Sequence, residues 1–135
     1  RVSAALKMIT DIERVGDQSA DIADLNIRLI KKKQKWDLSD ISEMARAATQ
    51  MVNDAIDAYV NDDENLARKV ISSDDKIDEL FVKTKDKIID EIAADKAIDA
   101  LMVAKYFERI GDHAVNIAEW VVFSITGVHK TERIM

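Results

Sequence analysis

Glu108, Asp112, Asn116 and Glu119 recur at spacings of four and three. On a helix turning about 100° per residue they share one narrow stripe. Glu13, Asp17, Asp21 and Asp24 repeat the arrangement near the start of the chain. Like charges four residues apart lie about 5–6 Å apart at Cβ and cost a few tenths of a kcal/mol per pair on an exposed helix, so selection for helix stability alone would alternate their signs. Each stripe also spans a mid-helix glycine, Gly16 or Gly111, at a cost of about 1 kcal/mol against alanine. A cation held by several carboxylates would offset both costs. Oxygen donors suit iron, Mn, Mg or Ca, and zinc also accepts carboxylates. The plainer reading is a solvated acidic face, which is what a charge run usually means.

Asp74 and Asp78 sharpen the metal reading. They share a helical face with Val70, Ile77 and Phe81, where an unpaired carboxylate is costly, whereas Asp75 points elsewhere. The strongest apolar stripe of the last helix, Val103, Phe107, Ile110, Ala114, Ile117 and Val121, lies roughly opposite its acidic one. The expected site is therefore on an open face of the fold, with Asp74 and Asp78 at the edge of the core. A ferritin-like di-iron core is disfavoured, because neither His113 nor His129 stands three residues after a glutamate. His113 reads as a surface residue rather than a ligand. Arg14 and Arg109 could clamp phosphate or carboxylate, although pairing with a neighbouring helix is commoner. Met44 and Met51 read as core; Trp36 and Trp120 lie near helix ends, where they cover a core edge or anchor a partner; Lys31 to Lys35 read as a solvated helix end. With no evident nucleophile, triad or Gly-rich phosphate loop, catalysis is not expected; a carboxylate-bridged metal hydrolase or oxidase is the enzymatic alternative.

The elements that must position these residues are long helices. The 135 residues suit one ordinary domain, 34% are charged, and the chain has no proline and only three glycines. Apolar spacings of three and four predict helices over 1 to about 33, from a cap at Asp37 or Ser39 to Asn61, over 64–92, and from about Ala97 to Ile125, with Gly127 as the stop. Short connections make sequential helices antiparallel, so the fold class is all-α, an up-and-down bundle of about four long helices. The absence of cysteine fits a reducing compartment, and the cytoplasm is the expected location. A net charge of −6 argues against a duplex nucleic-acid partner, and no apolar run approaches membrane-spanning length.

Sliding the sequence on itself by 95 residues superposes Ala5-Leu6 on Ala100-Leu101, Glu13-Arg14-Val15-Gly16-Asp17 on Glu108-Arg109-Ile110-Gly111-Asp112, and Ile22-Ala23 on Ile117-Ala118. A period of about three helices implies a three-helix module. Residues 1–35 then form the last helix of one module, and 36–135 form a complete second module. Because Arg1 already lies inside a helical pattern, the chain reads as a piece of a longer protein. The apolar stripe of the unaccompanied first helix needs cover, either from the remaining module or from another chain, and a homo-oligomer through helix packing is expected.

The two stretches 9–17 and 106–120 closely resemble the signature helices of the PhoU family, and residues 67–78 look like its middle helix. The resemblance implies a cytoplasmic bacterial regulator built of two similar three-helix bundles. It implies a multinuclear iron or zinc cluster on each bundle, held by the Glu-x-x-x-Asp motif. By position the ligands would be Glu108, Asp112, Asp74 and Asp78 for the complete module, with Asn116 the neutral member, and Glu13, Asp17 and Asp21 for the incomplete one. The resemblance also implies partners: a sensor histidine kinase, which the family restrains, and the Pst phosphate ABC transporter with its ATPase. A related alternative is a PhoU-like cytosolic regulatory domain of a sodium–phosphate cotransporter.

Overall fold

The structure is a computed structural model that describes residues 2–31, 39–91 and 94–127. Five helical segments follow in order: α1 (Val2–Lys31), α2 (Ser39–Asn61), α3 (Glu64–Ser72), α4 (Asp74–Glu91) and α5 (Ala94–Thr126). Their ends follow from local chemistry. Asp62 takes a positive φ of 50° after α2, and the Asp63 side chain caps α3 by accepting from the Leu66 amide at 3.0 Å. Gly127, with φ 77°, closes α5 by donating its N–H to Phe123 O at 2.7 Å.

The helix expected over 64–92 is interrupted at Ser73. Its Oγ donates to Lys69 O at 2.9 Å, competing with the backbone ladder, and its N–H is shared between Lys69 O and Val70 O. The chain keeps a right-handed helical conformation there, and Ile77 N–H reaches Ser73 O at 3.3 Å. Asp74 therefore opens α4, where the positive end of the helix dipole favours a carboxylate.

α5 is the central rod, packed against each of the other four helices. This corrects the expectation of one apolar stripe opposite an open acidic face. Val103, Ile110, Ala114, Ile117 and Val121 are buried as expected, but so are Ala104, Glu108, Gly111 and Val115 on the side facing α4. α2 contributes Met44, Ala48, Met51, Ala55 and Ala58 to the core.

α1 runs antiparallel to α5: Asp11 meets His113, and further along Val15, Ser19 and Ile22 share a groove with Phe107 and Ile110. Met8 is buried by this packing, whereas Leu6, Ile9 and Ile12 stay exposed. Their repeat-mates explain the pattern. Ile9 corresponds to Ala104 and Gly16 to Gly111, and both are buried on α5 because α4 covers them; α1 has no equivalent cover among the described residues, and nothing lies within 4 Å of a Cβ placed on Gly16. No helix among the described residues is long and apolar enough to cross a membrane. The boundary at 35/36, Asp37, Trp36, Lys32 to Lys35 and His129 lie outside the described residues, as do the side chains of Asp24 and Lys31.

Candidate metal centre

α4 and α5 lie antiparallel, and their facing side chains form three successive levels. Asp74 and Asp112 make the first level, Asp78 and Glu108 the second, Phe81 and Lys105 the third. Carboxylate oxygens of Asp74, Asp78 and Asp112 all lie within 4.8 Å of one another. Glu108 is a close neighbour of Asp78 and helps to raise its carboxyl. Lys105 Nζ stands 2.6 Å from Glu108 Oε1 and 5.1 Å from the centroid of the Phe81 ring. Glu108 is buried, Asp74 half-buried and Asp112 exposed, so the group opens to solvent from one side.

Close approach of the two helices makes this possible. A Cβ on Gly111 would stand 2.8 Å from Ile77 Cδ1 and 3.3 Å from its Cγ2. The glycine thus has a packing reason: its missing side chain admits Ile77, and Ile77 carries the neighbouring Asp78 up to Glu108. The duplicated glycine, read from sequence as a cost offset by a cation, is explained at position 111 by helix contact.

The electrostatics are those of a cation-poor cluster. Burial, the Asp74 charge, the hydrogen bond to Glu108 and the charges of Glu108 and Asp112 push the Asp78 carboxyl up to about 6. Burial, then Asp74 and Glu108, also raise Asp112, opposed by Lys105 and His113. Elsewhere on the bundle a buried carboxylate is treated differently: Asp40 has Lys83 at 3.6 Å and Lys87 at 3.5 Å. Among the described residues the four acidic groups of the α4–α5 site have one ammonium beside them, that of Lys105, paired with Glu108.

Four of the eight expected ligands therefore converge: Glu108, Asp112, Asp74 and Asp78. Asn116 does not join them, because its amide donates to Asp11 Oδ1 on α1 at 3.4 Å. His113 turns the same way, with Nδ1 3.0 Å from Asp11 Oδ1, and so serves the α1–α5 contact. Glu13, Asp17 and Asp21 are exposed on α1, with no α4-like element opposite them among the described residues. Arg109 lies over the ring of Tyr106 on its own helix, 5.7 Å from its centroid, rather than pairing across helices. Sequence reasoning missed Lys105 and Asp11. Lys105 stands three residues before Glu108, a spacing that signals contact; Asp11 carried no signal beyond its charge.

Known proteins resemble the chain in sequence and in fold. The chain is 33% identical over 131 residues to the phosphate-specific transport system accessory protein PhoU homolog of Clostridium acetobutylicum, covering 93% of this chain and 60% of that protein. It is 34% identical over 133 residues to PhoU homolog 1 of Thermotoga maritima, covering 94% and 57%. The chain thus spans about 60% of the length of these curated relatives. The crystal structure of PhoU from Pseudomonas aeruginosa superposes with a TM-score of 0.86 at 24% identity, over 95% of this chain and 68% of that one. The phosphate transport system regulatory protein PhoU from Streptococcus pneumoniae gives 0.86 at 25%, over 95% and 63%. The PhoU domain model matches residues 41–121, a span that holds Asp74, Asp78, Glu108 and Asp112. The chain that brings these four carboxylates together on α4 and α5 belongs to the PhoU family.

Proposed function

We propose that this chain is a non-enzymatic regulatory adaptor of phosphate uptake whose α4–α5 face binds metal. The observation that carries the metal reading is the convergence of Asp74, Asp78 and Asp112 within 4.8 Å, with Glu108 joined to Asp78. The donor set fits a multiply charged cation of the iron or zinc kind, or Mn, Mg or Ca. It consists of oxygens, it is open on one side, and burial together with the neighbouring carboxylates pushes the Asp78 carboxyl up to about 6. When bound, the metal would supply positive charge that ties α4 to α5; Glu108, Asp112, Asp74 and Asp78 would hold it.

The relatives being accessory proteins of the phosphate-specific transport system supports the adaptor over a cotransporter domain or a metal enzyme. In this reading the partners are the phosphate ABC transporter with its ATPase and a sensor histidine kinase, and the place of action is the cytoplasm. α1 is the last helix of a first three-helix module, and α2 to α5 form the second, with α3 and α4 together as one arm. The match over 41–121 supports that division. The uncovered Ile9, Ile12 and Gly16 face of α1 is where further helices, of the same protein or of another copy, would pack, bringing acidic partners to Glu13, Asp17 and Asp21.

A complementation experiment tests the reading. The gene's product, expressed in a host lacking its own PhoU, is expected to restore repression of a phosphate-starvation reporter at high phosphate, and the Glu108→Ala/Asp112→Ala version to fail at equal protein level. Full repression by the double variant would detach the acidic face from regulation. No repression by the parent protein would count against the adaptor itself.

A further inference from the structure

The acidic cluster carries a resident cation from its own chain. Lys105 is 46% exposed at its side chain. Its ammonium reaches forward along α5 to lie 2.6 Å from Glu108 Oε1, with the Phe81 ring of α4 5.1 Å away. Its charge reaches Asp112 as well, where it opposes the rise caused by the neighbouring carboxylates. The carboxylate it holds is the most buried of the group and neighbours Asp78. A metal that takes Glu108 must therefore compete with an ammonium already bonded to it. A dication and an ammonium sharing one carboxylate repel strongly in a partly desolvated site. The Phe81 face, already within cation–π range, remains a partner for that ammonium once it leaves Glu108. The first-helix copy of the stripe has Thr10 at the position of Lys105.

We propose that Lys105 is a tethered counter-cation of this site, displaced from Glu108 but kept beside the Phe81 ring when a divalent metal takes that carboxylate, and that it thereby sets the metal concentration at which the site loads. This rests on the metal reading given above. The opposite role is physically distinct: a lysine that merely orients Glu108 for the metal would strengthen binding.

The sign of one substitution separates the two roles. Zinc affinity is measured by competition with a chromophoric chelator on the protein and on Lys105→Met, which keeps the aliphatic stem beside Phe81 and removes the charge; a thermal melt checks that both are folded. Displacement predicts that the variant binds zinc at least about tenfold more tightly. It also predicts that the Lys105 Cε resonance, assigned by its loss in the variant, moves as stoichiometric zinc is added to the parent protein. Equal or weaker binding in the variant, or an unmoved resonance in a protein that does bind zinc, overturns the proposal and leaves the metal reading standing. Zinc binding by neither protein overturns both.

Discussion

Ile77 Cδ1 lies 2.8 Å from the point where a Cβ on Gly111 would stand, while Gly16, the repeat-mate of Gly111, has nothing within 4 Å of the same point. One motif is therefore met by a packed helix in one copy and by open space in the other. Alanine gains about 1 kcal/mol over glycine inside a helix, and overpacking a core costs about 1–3 kcal/mol. Ile77 is fully buried, so it cannot swing aside freely. Gly16→Ala should stabilise the chain by up to ~1 kcal/mol, whereas Gly111→Ala should destabilise it by ~1 kcal/mol net. Urea midpoints of the two variants check this; equal shifts of the same sign would remove the close approach from the account.

Protonation of Asp78 gives a pH signature. Its carboxyl rises from 3.8 in the unfolded chain to about 6 in the fold, so the folded state holds this proton more tightly. The resulting contribution to stability is fully present below about 3.8 and is lost as the pH rises through about 6. The metal-free protein should therefore fall in stability relative to Asp78→Asn across that window. Melting temperatures of both proteins, taken in parallel at fixed ionic strength, test it; a difference constant with pH would contradict the crowded cluster.

The same crowding predicts a trade between stability and binding. Without metal, Asp78→Asn relieves repulsion from Asp74, Glu108 and Asp112 and should raise the melting temperature by about 2–5 °C near neutral pH. In excess zinc the order should reverse, because the parent protein gains binding energy that the variant loses. Scanning calorimetry with chelator and with zinc reads both arms.

Asp11 and His113 should behave as a structural pair joining α1 to α5, not as part of the site. Each single alanine variant should cost about 1 kcal/mol, and the double-mutant cycle should show a coupling of about 0.5–1.5 kcal/mol. Zinc affinity of His113→Ala should stay within about threefold of the parent value, under 1 kcal/mol. A loss of a hundredfold would make His113 a ligand.

How legible this was in the sequence differs between residues. The 95-residue repeat and the three-four periodicity reveal the helices and the shared Glu-x-x-x-Asp motif, because both depend on spacing along one chain. Asp74 and Asp78 could be named because their helical face carries Ile77 and Phe81, which must be buried or half-buried. What could not be read are properties of two elements together. The burial of Glu108 arises because α5 is surrounded, whereas periodicity describes one side of a helix at a time. The purpose of Gly111 depends on Ile77 arriving from α4. The direction of Asn116 depends on Asp11, more than a hundred residues away. The Ser73 interruption hides because serine is tolerated inside helices until its hydroxyl bonds back to Lys69 O.

The central claim is that Asp74, Asp78, Glu108 and Asp112 form a metal site. Elemental analysis of protein purified without an affinity tag, beside the Glu108→Ala/Asp112→Ala variant, tests it most directly. The account predicts iron, zinc or manganese at about one or more per chain in the parent, lost in the variant while circular dichroism still reports the helices. Metal at the same stoichiometry in both proteins, or none in either, would contradict it.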